Sequence, residues 1–161
     1  MTTSASSWLD RPERWLAAWQ GHRLAVPFTW LTRVLLWLAF LPSGLVKLMG
    51  QPFTTLPVSD PIGYFFDALL ETGTYYQFIG AAQLLAGLLI LIPRTAAVGA
   101  VLYLCIITNI FVLTVSLGFG GTTVITGLML LAALYLLAWD YPRWRSLLAP
   151  ARPARPEEVS A

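Results

Sequence analysis

Charge is scarce in this sequence. Charged residues make up 11% of its 161 positions, against about a quarter in an ordinary soluble domain. With 57% hydrophobic residues and a mean hydropathy of +0.69, most of the chain must face lipid or other apolar helices. The length leaves no room for a separate soluble domain beyond short tails, so one compact membrane domain is expected. A net charge of +2, thinly spread, gives no footprint for nucleic acid. The single cysteine, Cys105, rules out an intrachain disulfide, a CxxC redox pair and a multi-cysteine metal site. The single histidine, His22, lies outside the apolar runs, so paired histidine ligation of haem within this chain is excluded. The opening MTTSASSWLDRPERW has no basic residue before an apolar core and no small-residue cleavage site, so we expect it to be retained.

What the chain has is long apolar runs. A span needs about 20 mainly apolar residues, and four segments come close: 28–49, 76–92, 96–115 and 122–139. Backbone groups find no water in hydrocarbon, so the spans are expected to be helices. The expected fold is therefore an all-α, four-transmembrane-helix bundle over 28–141. Pro93 breaks the second span before a tight turn, and Gly118, Gly120 and Gly121 separate the third from the fourth.

Basic residues set the expected orientation. Arg11, Arg14, Arg23 and Arg33 precede or open span one, Arg94 lies in the second-to-third turn, and Arg143, Arg145, Arg152 and Arg155 follow span four. All nine fall on one side, which the positive-inside rule assigns to the cytoplasm together with both termini. In the N-terminal segment 1–27, DRPERWLAAWQG at 10–21 reads as a short amphipathic interfacial helix, capped by Asp10, Pro12 and Glu13. The Pro-rich tail 142–161 is expected to be disordered.

Lys47 is the tenth basic residue, and it alone lies near the opposite face, in LPSGLVKLMGQPF. It has two readings: an ammonium snorkelling to the interface, or one member of a polar site. Counting rise per residue, Gln83 lies about 11 Å from the start of span two and Asn109 about 20 Å from the start of span three. Thr122, Thr123 and Thr126 open span four. These groups share a depth in the outer half. Gly80, Gln83 and Gly87 share one helical face; Cys105, Asn109, Val112 and Ser116 line another; Thr123, Thr126, Gly127 and Leu130 a third. One arrangement gathers Lys47, Gln83, Asn109 and Thr126 in an outward-opening cavity as candidate ligand-binding residues. The other leaves Gln83, Asn109 and Thr126 as interhelical glue, worth about 0.6 kcal/mol each. The loop 50–75 is long, and Ser59 or Asp60 before Pro61 opens a short helix with Phe65, Phe66, Leu69 and Leu70 on its apolar face. Asp60, Asp67 and Glu71 in that loop are candidate partners for Lys47. On the other side, Arg94 and Asp140 are expected to form a structural ion pair. GFGG at 118–121 fits no phosphate-binding loop, and Cys105 is expected to be packed as an apolar side chain.

FLPSGLVKLMG in span one and QLLAGLLILIPRTAAVGAVL across spans two and three resemble the DoxX family (the DoxX/DoxD-like small four-helix membrane proteins). The similarity covers about residues 30–141. The resemblance implies a carboxylate at the position of Gln83, followed by the small pair matched here by Ala86 and Gly87, so this chain keeps the shape and loses the charge. It further implies a multi-pass protein of the bacterial inner (cytoplasmic) membrane. Its function would be that of a quinone-linked oxidoreductase subunit with a quinone in the polar pocket, no intrinsic cofactor, and electrons from a redox partner protein or a small reductant. Lys47 would stabilise negative charge on the quinone oxygen. The alternative is a non-catalytic membrane module, an assembly partner or a binder of lipid or small solutes. In either case the bilayer is a partner, and small-residue faces permit a homodimer.

Overall fold

A computed structural model describes residues 20–141. The interfacial helix over 10–21 and the tail 142–161 lie almost wholly or wholly outside the described residues. Those described form five helices and no strand: α1 (Ala25–Leu48), α2 (Pro61–Glu71), α3 (Thr74–Leu91), α4 (Ala96–Ser116) and α5 (Gly120–Trp139). Four of them, α1, α3, α4 and α5, are long and apolar enough to cross a membrane. The long loop carrying α2 and the short turns at 92–95 and 117–119 make them run alternately up and down. One end of the bundle therefore carries Lys47 and α2, and the other carries Arg33, Arg94 and Asp140.

The most extensive packing is α1 on α3, followed by α4 on α5 and α3 on α4, whereas α1 and α5 meet only sparsely. Apolar helices in lipid gain little from burying more apolar surface, so close backbone approach carries the association. Gly80 supplies it. A Cβ there would stand 2.5 Å from the Leu48 nitrogen and 2.6 Å from the Gly44 carbonyl oxygen. The core between the helices holds Leu36, Phe40, Ala86, Ile90, Ala100, Tyr103, Ile107, Ala133 and Leu136. Phe40 and Tyr103 stack at 3.9 Å between centroids. The Tyr103 hydroxyl donates to the Leu36 carbonyl at 3.0 Å, which satisfies a buried phenol in a dry interior.

The sparse α1–α5 seam is tied by polar contacts near the arginine end. The Thr29 and Tyr135 hydroxyls are 2.8 Å apart. Asp140 pairs with Arg33 at 3.4 Å, and both side chains are almost fully buried. This corrects the expected Arg94–Asp140 pair, because Arg94 is exposed in the α3–α4 turn. Arg33 stands eight residues into α1, about 12 Å from its start at 1.5 Å per residue, and a guanidinium at that depth needs a counter-charge. Asp140 ends α5 within its reach, while Arg94 sits in the turn, where water can solvate it.

Two stability outcomes follow. Gly80→Ala should lose about 1–3 kcal/mol through overpacking against backbone atoms, whereas Gly121→Ala, with nothing within 4 Å of its Cβ position, should stay within about 0.5 kcal/mol. Asp140→Asn should destabilise the protein by removing the charge from its buried pair with Arg33, with Arg94→Gln again within about 0.5 kcal/mol. Denaturant unfolding in mild detergent reads all four. An Arg94→Gln loss matching that of Asp140→Asn would return the ion pair to Arg94.

Candidate functional site

The site begins with the spacing Ser43–Lys47, one helical turn apart on α1. Residues four apart lie on one face, and the Lys47 ammonium donates to the Ser43 hydroxyl at 2.6 Å and to the Ser43 carbonyl at 3.3 Å. Gly44 and Gly80 bring α3 so close that the Lys47 stem is pressed between the helices, leaving Lys47 5% exposed. The ammonium lies 4.1 Å from the centroid of the Phe53 ring, a cation–π contact that strengthens as water is removed. Asp60, Asp67 and Glu71 do not pair with it: no carboxylate among the described residues lies within salt-bridge distance of Lys47. Asp60 instead caps α2, accepting from the Ile62 backbone N–H at 2.8 Å.

The charge faces a hollow of about 150 Å³ at the lysine end. Ser43, Lys47, Asn109, Thr114 and Thr122 supply polar groups, and Phe53, Phe65, Phe66, Leu69, Ile79 and Phe119 supply apolar wall. The lid over this hollow is built from the 50–75 loop. Tyr76 donates to the Gln51 carbonyl at 2.8 Å and pins the start of the loop. Pro61 begins α2 directly after the Asp60 cap. Phe66 then packs on Phe53 at 4.5 Å and reaches toward Phe119 at 6.3 Å between centroids. The aromatic cluster thus joins the loop, α2 and the α4–α5 turn over the ammonium.

The four residues picked out in the sequence fare differently. Lys47 lines the hollow. Gln83 is fully buried one layer behind it, its Oε1 accepting a long 3.5 Å contact from the Ser43 hydroxyl, while its amide nitrogen has no partner among the described residues. A buried unpaired donor costs about 1–3 kcal/mol. Asn109 also lines the hollow, but from its rim, since it is exposed. Thr126 is buried outside the lining, where its hydroxyl lies 3.0 Å from that of Thr114 and donates to the Thr123 carbonyl at 3.1 Å. It joins α5 to α4 and takes no part in the hollow.

The expected inward stripe on α4 is therefore corrected. Cys105, Asn109, Val112 and Ser116 are all exposed, and Cys105 is not a packed core side chain. Tyr103, Ile107 and Thr114 turn inward instead, because the bulky Tyr103 ring stacks on Phe40 and fixes the rotation of the helix. Cys105 and Asn109 line a slot of about 290 Å³ between α3 and α4, together with Tyr75, Phe78, Ile79, Ala82, Ile106 and Ile110. Ser43, Phe53 and Thr114 were missed in the sequence. Ser43 was detectable from its i−4 spacing to Lys47; Phe53 and Thr114 carried no such signal.

Chemically, the arrangement offers a positive, hydrogen-bonding wall to a compact apolar group carrying an acceptor oxygen or negative charge. No family model and no solved structure matches the chain. A stretch of 62 residues is 42% identical to "Uncharacterized protein YwoB" of Bacillus subtilis (strain 168), covering 38% of this chain and 40% of that one. The similarity thus spans well under half the length of either protein.

Proposed function

We propose that this is a DoxX-like protein of the bacterial inner membrane that binds a quinone head in the hollow beside Lys47 and serves as the membrane subunit of a quinone-linked oxidoreductase. The observation that carries this reading is the buried ammonium of Lys47, which has no carboxylate partner among the described residues and faces a hollow with mostly aromatic and aliphatic walls. Volume supports it as well. A cavity of about 150 Å³ suits a single six-membered ring, whereas whole drug-sized ligands occupy about 300–1,000 Å³. Among the described residues Arg23, Arg33 and Arg94 lie toward the opposite end, which supports a hollow that opens on the outer side.

A bound quinone supplies acceptance of two electrons and two protons, with the electrons coming from a redox partner protein or a small external reductant. The residues of this chain do the rest. Lys47 donates to a carbonyl oxygen and stabilises the negative charge that reduction places there. Ser43 holds the ammonium on the hollow side of α1. Phe53, Phe66 and Phe119 exclude water, which strengthens that electrostatic contact. Gln83 contributes by being neutral: a carboxylate at its position would lie one serine away from Lys47 and would compete with the ligand for the ammonium.

Lys47→Met should weaken binding of a tail-less benzoquinone about 10- to 100-fold, the worth of a hydrogen bond to a charged group. Gln83→Glu should weaken it in the same direction. Equilibrium binding to the purified protein in nanodiscs, with mass spectrometry of what co-purifies, measures both. Unchanged affinity in Lys47→Met would reject the quinone site, and retained phospholipid with no quinone would favour a non-catalytic lipid-binding module.

A further inference from the structure

The hollow and the slot share a wall. Tyr75, Ile79, Asn109 and Ile110 line both. The slot lies between α3 and α4 on the outward side of the bundle, where Phe78 is 64% exposed and Cys105 is exposed. Asn109 stands at the junction, an exposed amide about 10 Å short of the outer end of α4, counting 1.5 Å per residue to Ser116. Its backbone groups belong to the helix, but its side-chain amide makes no hydrogen bond to another described residue. A polar side chain at membrane depth is costly unless it serves a polar neighbour, and the slot gives it one only if a ligand passes.

We infer that the slot between α3 and α4 holds the apolar tail of the same ligand, so that the protein takes a long-tailed amphiphile sideways from the bilayer, with Asn109 marking the point where head meets tail. This rests on the quinone reading of the hollow. Size separates the two compartments. The hollow holds one ring and nothing more, so a tail attached to that ring must leave it, and the residues lining both compartments mark the side on which the slot adjoins the hollow. The other large groove, about 330 Å³ between α1 and α5, is lined by Leu31, Thr32, Leu36, Leu128 and Met129 and shares no residue with the hollow. It is therefore an ordinary lipid-facing furrow. Asn109 acts as a specificity residue: its amide hydrogen-bonds a ring substituent at the threshold and disfavours a purely hydrocarbon lipid chain sliding inward.

The test uses the full chain in nanodiscs and two probes, a tail-less benzoquinone and a benzoquinone whose decyl tail carries a mid-chain diazirine. After illumination, peptide mapping should place adducts on Phe78, Ala82, Cys105 or Ile106, and excess tail-less quinone should remove them. Ala82→Trp, or Cys105→Trp as a second plug, should lower retention of the tailed probe about tenfold while leaving tail-less binding unchanged, which also reports that the variant is folded. Leu128→Trp, in the α1–α5 furrow, should change neither. Adducts concentrated on Leu31 or Leu128, or full retention of the tailed probe by both plugged variants, would overturn the slot while leaving the head site standing. Failure of the wild-type protein to bind either probe would overturn the head site and the slot together.

Discussion

The contact between Gly80 on α3 and the backbone of Gly44 and Leu48 on α1 is the constraint on which the rest depends. In hydrocarbon there is little to gain from hiding one apolar surface against another, so helices associate where their backbones come close. At Gly80 the approach leaves no space for a methyl group. The consequence reaches Lys47 directly, since its Cβ would lie 2.9 Å from an added Cβ on Gly80. The lysine stem is held between two helices, and its ammonium is turned along α1 toward Ser43 and the underside of Phe53.

From that one placement the electrostatics follow. An ammonium taken out of water is tolerated when acceptors surround it, and here the nearest groups are a hydroxyl oxygen, a carbonyl oxygen and an aromatic face. A carboxylate would neutralise it and close the site to acceptor ligands. The bundle places its buried carboxylate, Asp140, at the far end, against Arg33. The two ends thus differ: the arginine end is a buried pair that ties the sparse α1–α5 seam, and the lysine end leaves its ammonium on a hydroxyl, a carbonyl and an aromatic face. The polar links Thr29–Tyr135 and Thr114–Thr126 stabilise the helix contacts around both.

The loop over the hollow adds aromatic wall above the ammonium. Pro61, with Asp60 as cap, starts α2 where Phe65, Phe66 and Leu69 can descend on the ammonium. The aromatic cluster covers the lysine end, and Ile79 and Asn109 line both the hollow and the neighbouring slot.

The helices, the turns at Pro93 and at Gly118, and the start of α2 at Pro61 were all legible in the sequence by itself, although Gly120 and Gly121 fall in the first turn of α5. Each depends on local physics: a peptide group in hydrocarbon must bond within its own helix, and proline and glycine interrupt that pattern wherever they fall. Lys47 was legible as an anomaly for the same reason. Which side chains meet was a different matter. In a lipid-facing helix both the inner and outer surfaces are apolar, so the periodic signal that orients a soluble helix is weak. Hence the stripe of Cys105 and Asn109 turns outward, Thr126 bonds Thr114 outside the hollow, and Asp140 takes Arg33 instead of Arg94. Helix rotation and depth are set by packing between elements far apart in the chain, by Gly80 against Gly44 and by Phe40 against Tyr103, and only the tertiary structure decides them.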